Sequence, residues 1–127
     1  MFSHIVLGAN DIDASRRFYD AALGALGIPP GAVDEWGRVV YLHQGGRLIV
    51  TRPLNGAPAT GANGGTIGFE AASPELANAW HAEGLVHGGT AIEDPPGIRN
   101  ATGGRQLYLA YLADPAGNKL CVKAPVL

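Results

Sequence analysis

Few side chains in this 127-residue chain can do chemistry. There are four histidines (His4, His43, His81 and His87) and a single cysteine, Cys121. His4 opens an apolar run, Ile5-Val-Leu7. An imidazole there can ligate a metal or hydrogen-bond a ligand, or simply bond a neighbouring strand or water. Cys121 lies between Leu120 and Val122. It is a candidate thiolate ligand or nucleophile, although a lone cysteine on a strand is more often a small buried hydrophobe. Glu70 is a candidate general base or an ordinary surface carboxylate. Arg99, in Pro96-Gly-Ile-Arg99, carries a planar fork suited to an anionic group or to fixing its own loop. Tyr41 and Tyr111 are candidate cleft walls, or else core or dimer packing.

Those residues must be held by regular elements. Ser3 to Ala9 reads as a strand, with Ile5 and Leu7 on one side and His4, Val6 and Gly8 on the other. Asn10 and Asp11 begin a helix, with Asp13 in its first turn. Ile12, Phe18, Ala22 and Leu26 form its apolar face, and Gly27 ends it before Pro29 and Pro30. A short strand near Ala32 to Trp36 precedes a hairpin of Gly37 to Gln44 and Arg47 to Arg52, turning at Gly45-Gly46. After a linker rich in Gly, Pro, Ala, Asn and Thr, the pattern restarts. Thr66 to Ala72 is a strand, and Ser73-Pro74 a strong helix start. Trp80 anchors that helix, which ends at Gly84 or Gly88. Gly89 to Glu93 reads as a short strand, Asp94 to Gly104 as a long loop, Arg105 to Ala113 as a strand, Asp114 to Asn118 as a turn, and Lys119 to Lys123 as the last strand.

The restart is an internal duplication. Residues 4–19 overlay residues 66–81 without a gap, an offset of 66 − 4 = 62. Ile5 falls on Ile67, Leu7 on Phe69, Ala9 on Ala71, Phe18 on Trp80 and Gly27 on Gly89. A repeat of about half the chain length describes an architecture, here two copies of β-α-β-β-β. Tyr41 and Tyr111 also fall on matching positions if the second hairpin turn is two residues longer.

Composition narrows the function classes. At 46% apolar with 19 glycines, the chain has an ordinary globular core and many turns. A net charge of −2 without a basic stripe argues against nucleic acid. One cysteine permits no internal disulfide and suits a reducing compartment. With neither a signal peptide nor a membrane-length apolar run, a cytoplasmic protein with no membrane partner is expected.

The words His4-Ile-Val-Leu, Asp11-Ile-Asp-Ala-Ser-Arg-Arg-Phe-Tyr19 and Asp114-Pro-Ala-Gly-Asn-Lys-Leu120 resemble the vicinal-oxygen-chelate superfamily, the group of glyoxalase I, bleomycin-resistance proteins and extradiol dioxygenases. The resemblance implies an α+β fold of two tandem βαβββ modules forming a curled mixed sheet around a cleft. It implies one domain over 1–127, with module one at 1–54, a linker at 55–65 and module two at 66–127. A homodimer is also implied.

Metal-dependent members carry ligands on the first and last strands of each module. Carried over, those positions are His4, Thr66, Ile49 and Cys121. Only His4, with Cys121 as a possible second, suits a metal. Catalytic zinc takes three protein ligands, and non-haem iron takes two His and a carboxylate. Glu70 shares the parity of Thr66 but lies four strand residues away, about 13 Å along. The leading expectation is therefore a small-molecule-binding protein with a degraded metal site and no cofactor. Its organic ligand would be held by His4, Tyr41, Glu70, Arg99 and Tyr111. The alternative is a lyase or dioxygenase using one divalent ion (Zn, Ni, Mn or Fe) on His4, Cys121 and other non-standard ligands.

Overall fold

The structure is a computed structural model and describes residues 1–126. Two mixed sheets and two helices follow the duplication. The first half runs β1 (Ile5–Gly8), α1 (Ile12–Gly24), β2 (Ala32–Val33), β3 (Val39–His43) and β4 (Gly46–Thr51). The second runs β5 (Ile67–Glu70), α2 (Pro74–Val86), β6 (Thr90–Ala91), β7 (Gly97–Asn100), β8 (Gln106–Ala113) and β9 (Lys119–Pro125). The sheet orders are β1-β4-β3-β2 and β5-β9-β8-β6, with β7 also on β8. In each half, the first strand lies parallel to the last.

The register bears out the repeat on its first strands. Ile5 sits opposite Leu48 as Ile67 sits opposite Leu120, and Leu7 opposite Val50 as Phe69 opposite Val122. The amides of Ala9 and Ala71 then close the two pairs, on Thr51 and Lys123 carbonyls, both at 2.8 Å. The helix caps also coincide, with Asp11 and Ser73 side chains each accepting from the backbone amide three residues on.

Three details differ from the sequence reading. Gly27 is matched by Gly88, not Gly89: those two take the left-handed backbone, at φ 86° and 99°. The first hairpin turns at Gln44-Gly45, both at positive φ, one residue earlier than Gly45-Gly46. The segment read as a loop over 94–104 contains β7, which bonds to the edge of β8. Its short Gly-Ile-Arg-Asn run lacks the alternation that marks a strand, and pairing with β8 supplies its order.

A fourth difference concerns the tyrosines. Tyr41 lies opposite Leu48, whereas the equivalent Leu120 lies opposite Leu112, not Tyr111. The second hairpin turn is longer by one residue, not two. A one-residue slip turns a side chain to the other face. Tyr41 therefore faces the helices and is buried, while Tyr111 faces away from them.

Both halves share one core. Val39, Tyr41, Leu48 and Val50 from the first sheet, and Ala110, Leu112, Leu120 and Val122 from the second, join Phe18, Tyr19, Ala77 and Trp80 of the helices. The helices can approach because Gly84 and Gly89 leave room for the Phe18 ring, whose atoms would lie 3.1 Å and 2.5 Å from a Cβ there. The linker is also held. The Asn10 side chain accepts from the Ala59 amide at 2.7 Å, and a Cβ on Gly61 would strike the Gly117 carbonyl at 2.6 Å.

Candidate functional site

With one sheet face against the helices, alternation places His4, Val6, Val40, Leu42, Arg47 and Ile49 on the other face of the first sheet. The same rule places Gly68, Glu70, Leu107, Leu109, Tyr111, Lys119, Cys121 and Arg99 together on the second. Among the described residues, no helix covers these open faces. Val6 and Leu42 are 49% and 55% exposed.

Cys121 is at the centre of the second open face, flanked in register by Tyr111 and Gly68. Burial pushes its thiol above the ordinary range, although the adjoining Tyr111 hydroxyl pulls the other way. The S–H points to the Val122 carbonyl at 3.6 Å. Burial also raises the Tyr111 phenol, and the neighbouring Cys121 adds to the shift. Lys119 extends over the Tyr111 ring at 5.2 Å and pairs with Glu93. That carboxylate raises the Lys119 ammonium, which is partly exposed. The face therefore offers a neutral thiol, a phenol and a cation around one spot, with Leu107 and Leu109 as apolar floor.

Arg99 is on the same face, next to Leu107 in register. One guanidinium nitrogen donates to the Asp94 and Pro95 carbonyls, at 3.1 Å and 2.8 Å, so the side chain braces its own loop. Glu70 is at the strand end, exposed, 3.9 Å from Lys123. His4 is exposed and bonds its neighbour Ser3 at 2.7 Å. It lines a shallow depression with Leu42, His43, Arg47 and Ile49, all from the first half. Tyr41 is elsewhere, its hydroxyl donating to Asp20 at 2.7 Å beneath the first sheet. Thus Arg99, Tyr111 and Cys121 come together, with Glu70 at the edge; His4 is apart on the first sheet, and Tyr41 meets only Glu70 among them, in a cavity between the halves.

Lys119 and Glu93 were not among the candidates from sequence. Lys119 reads in the sequence only as the first residue of the last strand, and no spacing links Glu93 to it. Their pairing arises because β6 and β9 flank β8 on opposite sides.

The donor set does not form a metal centre within one chain. No three His, Cys, Asp or Glu side chains converge among the described residues. Of the four first- and last-strand positions, Thr66 and Ile49 offer no usual metal ligand, which leaves His4 and Cys121, short of the three protein ligands a catalytic zinc takes.

The fold agrees with comparisons to known proteins. Residues 1–122 match the model of the Glyoxalase/Bleomycin resistance protein/Dioxygenase superfamily, and the chain belongs to that family. A glyoxalase/bleomycin resistance protein from Albidiferax ferrireducens T118 is 50% identical, covers 97% of this chain and 98% of its own, and superposes with a TM-score of 0.92. A glyoxalase-related enzyme from Fulvimarina pelagi shares the fold at 20% identity, with 98% and 87% coverage and a TM-score of 0.71. So does a lactoylglutathione lyase from Agrobacterium tumefaciens, at 20% identity, 98% and 92% coverage and a TM-score of 0.66. No curated protein matches the chain. Among the described residues, no helix is long and apolar enough to cross a membrane.

Proposed function

We propose that this chain is a small-molecule-binding member of its family that acts without a resident metal ion, in the cytoplasm. Its ligand is an organic molecule carrying a hydrogen-bonding or anionic group, held on the open face of the second sheet. The observation that carries this reading is the grouping of Cys121, Tyr111 and Lys119 at the last-strand position where the family resemblance implies a metal ligand. A protonated thiol and a phenol suit a neutral or anionic oxygen better than a cation. Leu107, Leu109 and the Tyr111 ring supply apolar contact, and Arg99 supplies guanidinium N–H groups at the margin. Sequestration of a bleomycin-like compound fits this chemistry.

The protein acts as a homodimer in this reading. Exposed Val6 and Leu42 on an uncovered sheet face favour a second copy over bare solvent. Light scattering on the eluting protein gives the mass directly.

The test is a screen of small organic acids and phenols by thermal shift, followed by titration of the best binder into wild type, Tyr111→Phe, Cys121→Ser and Arg99→Ala. Binding that weakens about tenfold in Tyr111→Phe supports the site, as loss of one good hydrogen bond from a desolvated contact predicts. Binding equal in all four proteins refutes it.

A further inference from the structure

A cavity of about 280 Å³ opens between the two halves; its wall is on the helix side of the first sheet, and its rim reaches Arg47, Gly68 and Glu70, whose strand positions belong to the open faces. Its wall is Ile5, Leu23, Leu26, Ile28, Ile67 and Phe69, contributed by β1, the end of α1 with its following turn, and β5. The Tyr41 ring contributes to the wall, and its hydroxyl is already engaged by Asp20. The interior therefore presents hydrocarbon and no free polar group from this tyrosine. Polar residues are confined to the mouth, where His43 and Arg47 come from the first hairpin and Glu70 from the end of β5.

The two charges at the mouth differ in their partners. Glu70 is 3.9 Å from the Lys123 ammonium. No carboxylate among the described residues lies within ion-pair distance of Arg47. An apolar body with one anionic end matches both features. We propose that this cavity binds a compact aliphatic monocarboxylate, its chain among the Ile, Leu and Phe side chains and its carboxylate on the Arg47 guanidinium at the mouth. The volume is near the lower end of ligand cavities, roughly 300 Å³ and upward, so the fit is to a short chain rather than a drug-sized molecule. A guanidinium fork receives a carboxylate with two parallel hydrogen bonds. This site shares Gly68 and Glu70 with the open face of the second sheet and Arg47 with that of the first, but none of Arg99, Tyr111, Lys119 or Cys121, and its ligand need not be the same.

The experiment titrates octanoate, with 1-octanol as the isosteric neutral control, into isotopically labelled full chain followed by methyl NMR, for wild type and Arg47→Gln. Arg47 is exposed, so the variant should fold. The proposal expects saturable octanoate shifts on the Leu26 and Ile28 methyls. It expects octanoate to bind about tenfold more tightly than octanol, and that preference to vanish in Arg47→Gln. Octanoate and octanol binding equally would overturn the carboxylate assignment. Absence of saturable shifts, or shifts on Leu107 and Leu109 instead, would overturn the cavity. Either failure leaves the reading of the Tyr111–Cys121 face intact, since that reading is tested by Tyr111→Phe.

Discussion

The Tyr19 hydroxyl donates a 2.5 Å hydrogen bond to the Asp114 carboxylate, joining the helix of one half to the last hairpin turn of the other. Asp114 is 3% exposed and carries much more than this bond. One oxygen accepts from the Ala116 and Asn118 amides, and the other also accepts from the Asn118 side chain at 2.8 Å. Asn118 in turn donates to the Gly8 carbonyl at 2.9 Å, at the end of β1. The Asp-Pro-Ala-Gly-Asn turn is thus a clasp between halves. Burial and the adjacent carboxylate raise the Tyr19 phenol well above its ordinary range, so it stays a donor.

Tyr19→Phe should therefore destabilise the fold by about 1–3 kcal/mol, the cost of leaving a buried acceptor short of a partner. Asp114→Ala should cost more, because it strands two backbone amides and the Asn118 amide as well. Urea unfolding of the singles and the double gives the coupling, which should be clearly non-zero.

The two helices respond oppositely to an added methyl. A Cβ on Gly84 would lie 2.4 Å from Leu112 Cδ1, inside the shared core. Gly84→Ala should destabilise by roughly 1–3 kcal/mol through overpacking. Gly24, at the last turn of α1, has nothing within 4 Å of such a carbon. Gly24→Ala should be neutral to stabilising by up to about 1 kcal/mol, by restricting the unfolded chain. Thermal melts of both variants check the signs.

Much of this frame was readable in advance. The apolar alternation of Ile5 and Leu7, the caps Asp11 and Ser73, and the duplication over Phe18 and Trp80 are local signals, and local signals set elements. What escaped depends on pairing across the chain. The face of Tyr111 turned on a single residue in the hairpin turn that sets the register of β8 on β9. β7 exists because β8 offers it an edge. Glu93 reaches Lys119 only once the sheet is assembled. The site residues were named from side-chain chemistry and family position, which cannot say which of them share a surface. That is why His4 and Tyr41 were grouped with Tyr111.

Cys121 should behave as a shielded, protonated thiol. Its raised pKa leaves little thiolate at pH 8, so iodoacetamide should modify the native protein at least about tenfold more slowly than the urea-unfolded chain. Mass spectrometry over time measures both rates.

His81 links stability to pH. Burial lowers its imidazole pKa below 6.5. The unfolded chain then binds the proton more readily than the folded one, and stability rises with pH through this window. Its contribution is complete above the unfolded value and is lost as pH falls from about 7 toward the lowered folded pKa. Urea midpoints of wild type should drop between pH 7.5 and pH 5.5 by more than those of His81→Gln. Equal drops would remove His81 from the account.

The metal content of the protein tests the central claim most directly. It should be measured on untagged material purified without added metal, for wild type, His4→Ala and Cys121→Ser. We expect no stoichiometric Zn, Ni, Co, Mn or Fe in any of the three, and none retained after titration and desalting. Near-stoichiometric metal in wild type that disappears in His4→Ala or Cys121→Ser would contradict the account, identifying a metalloenzyme built on unusual ligands.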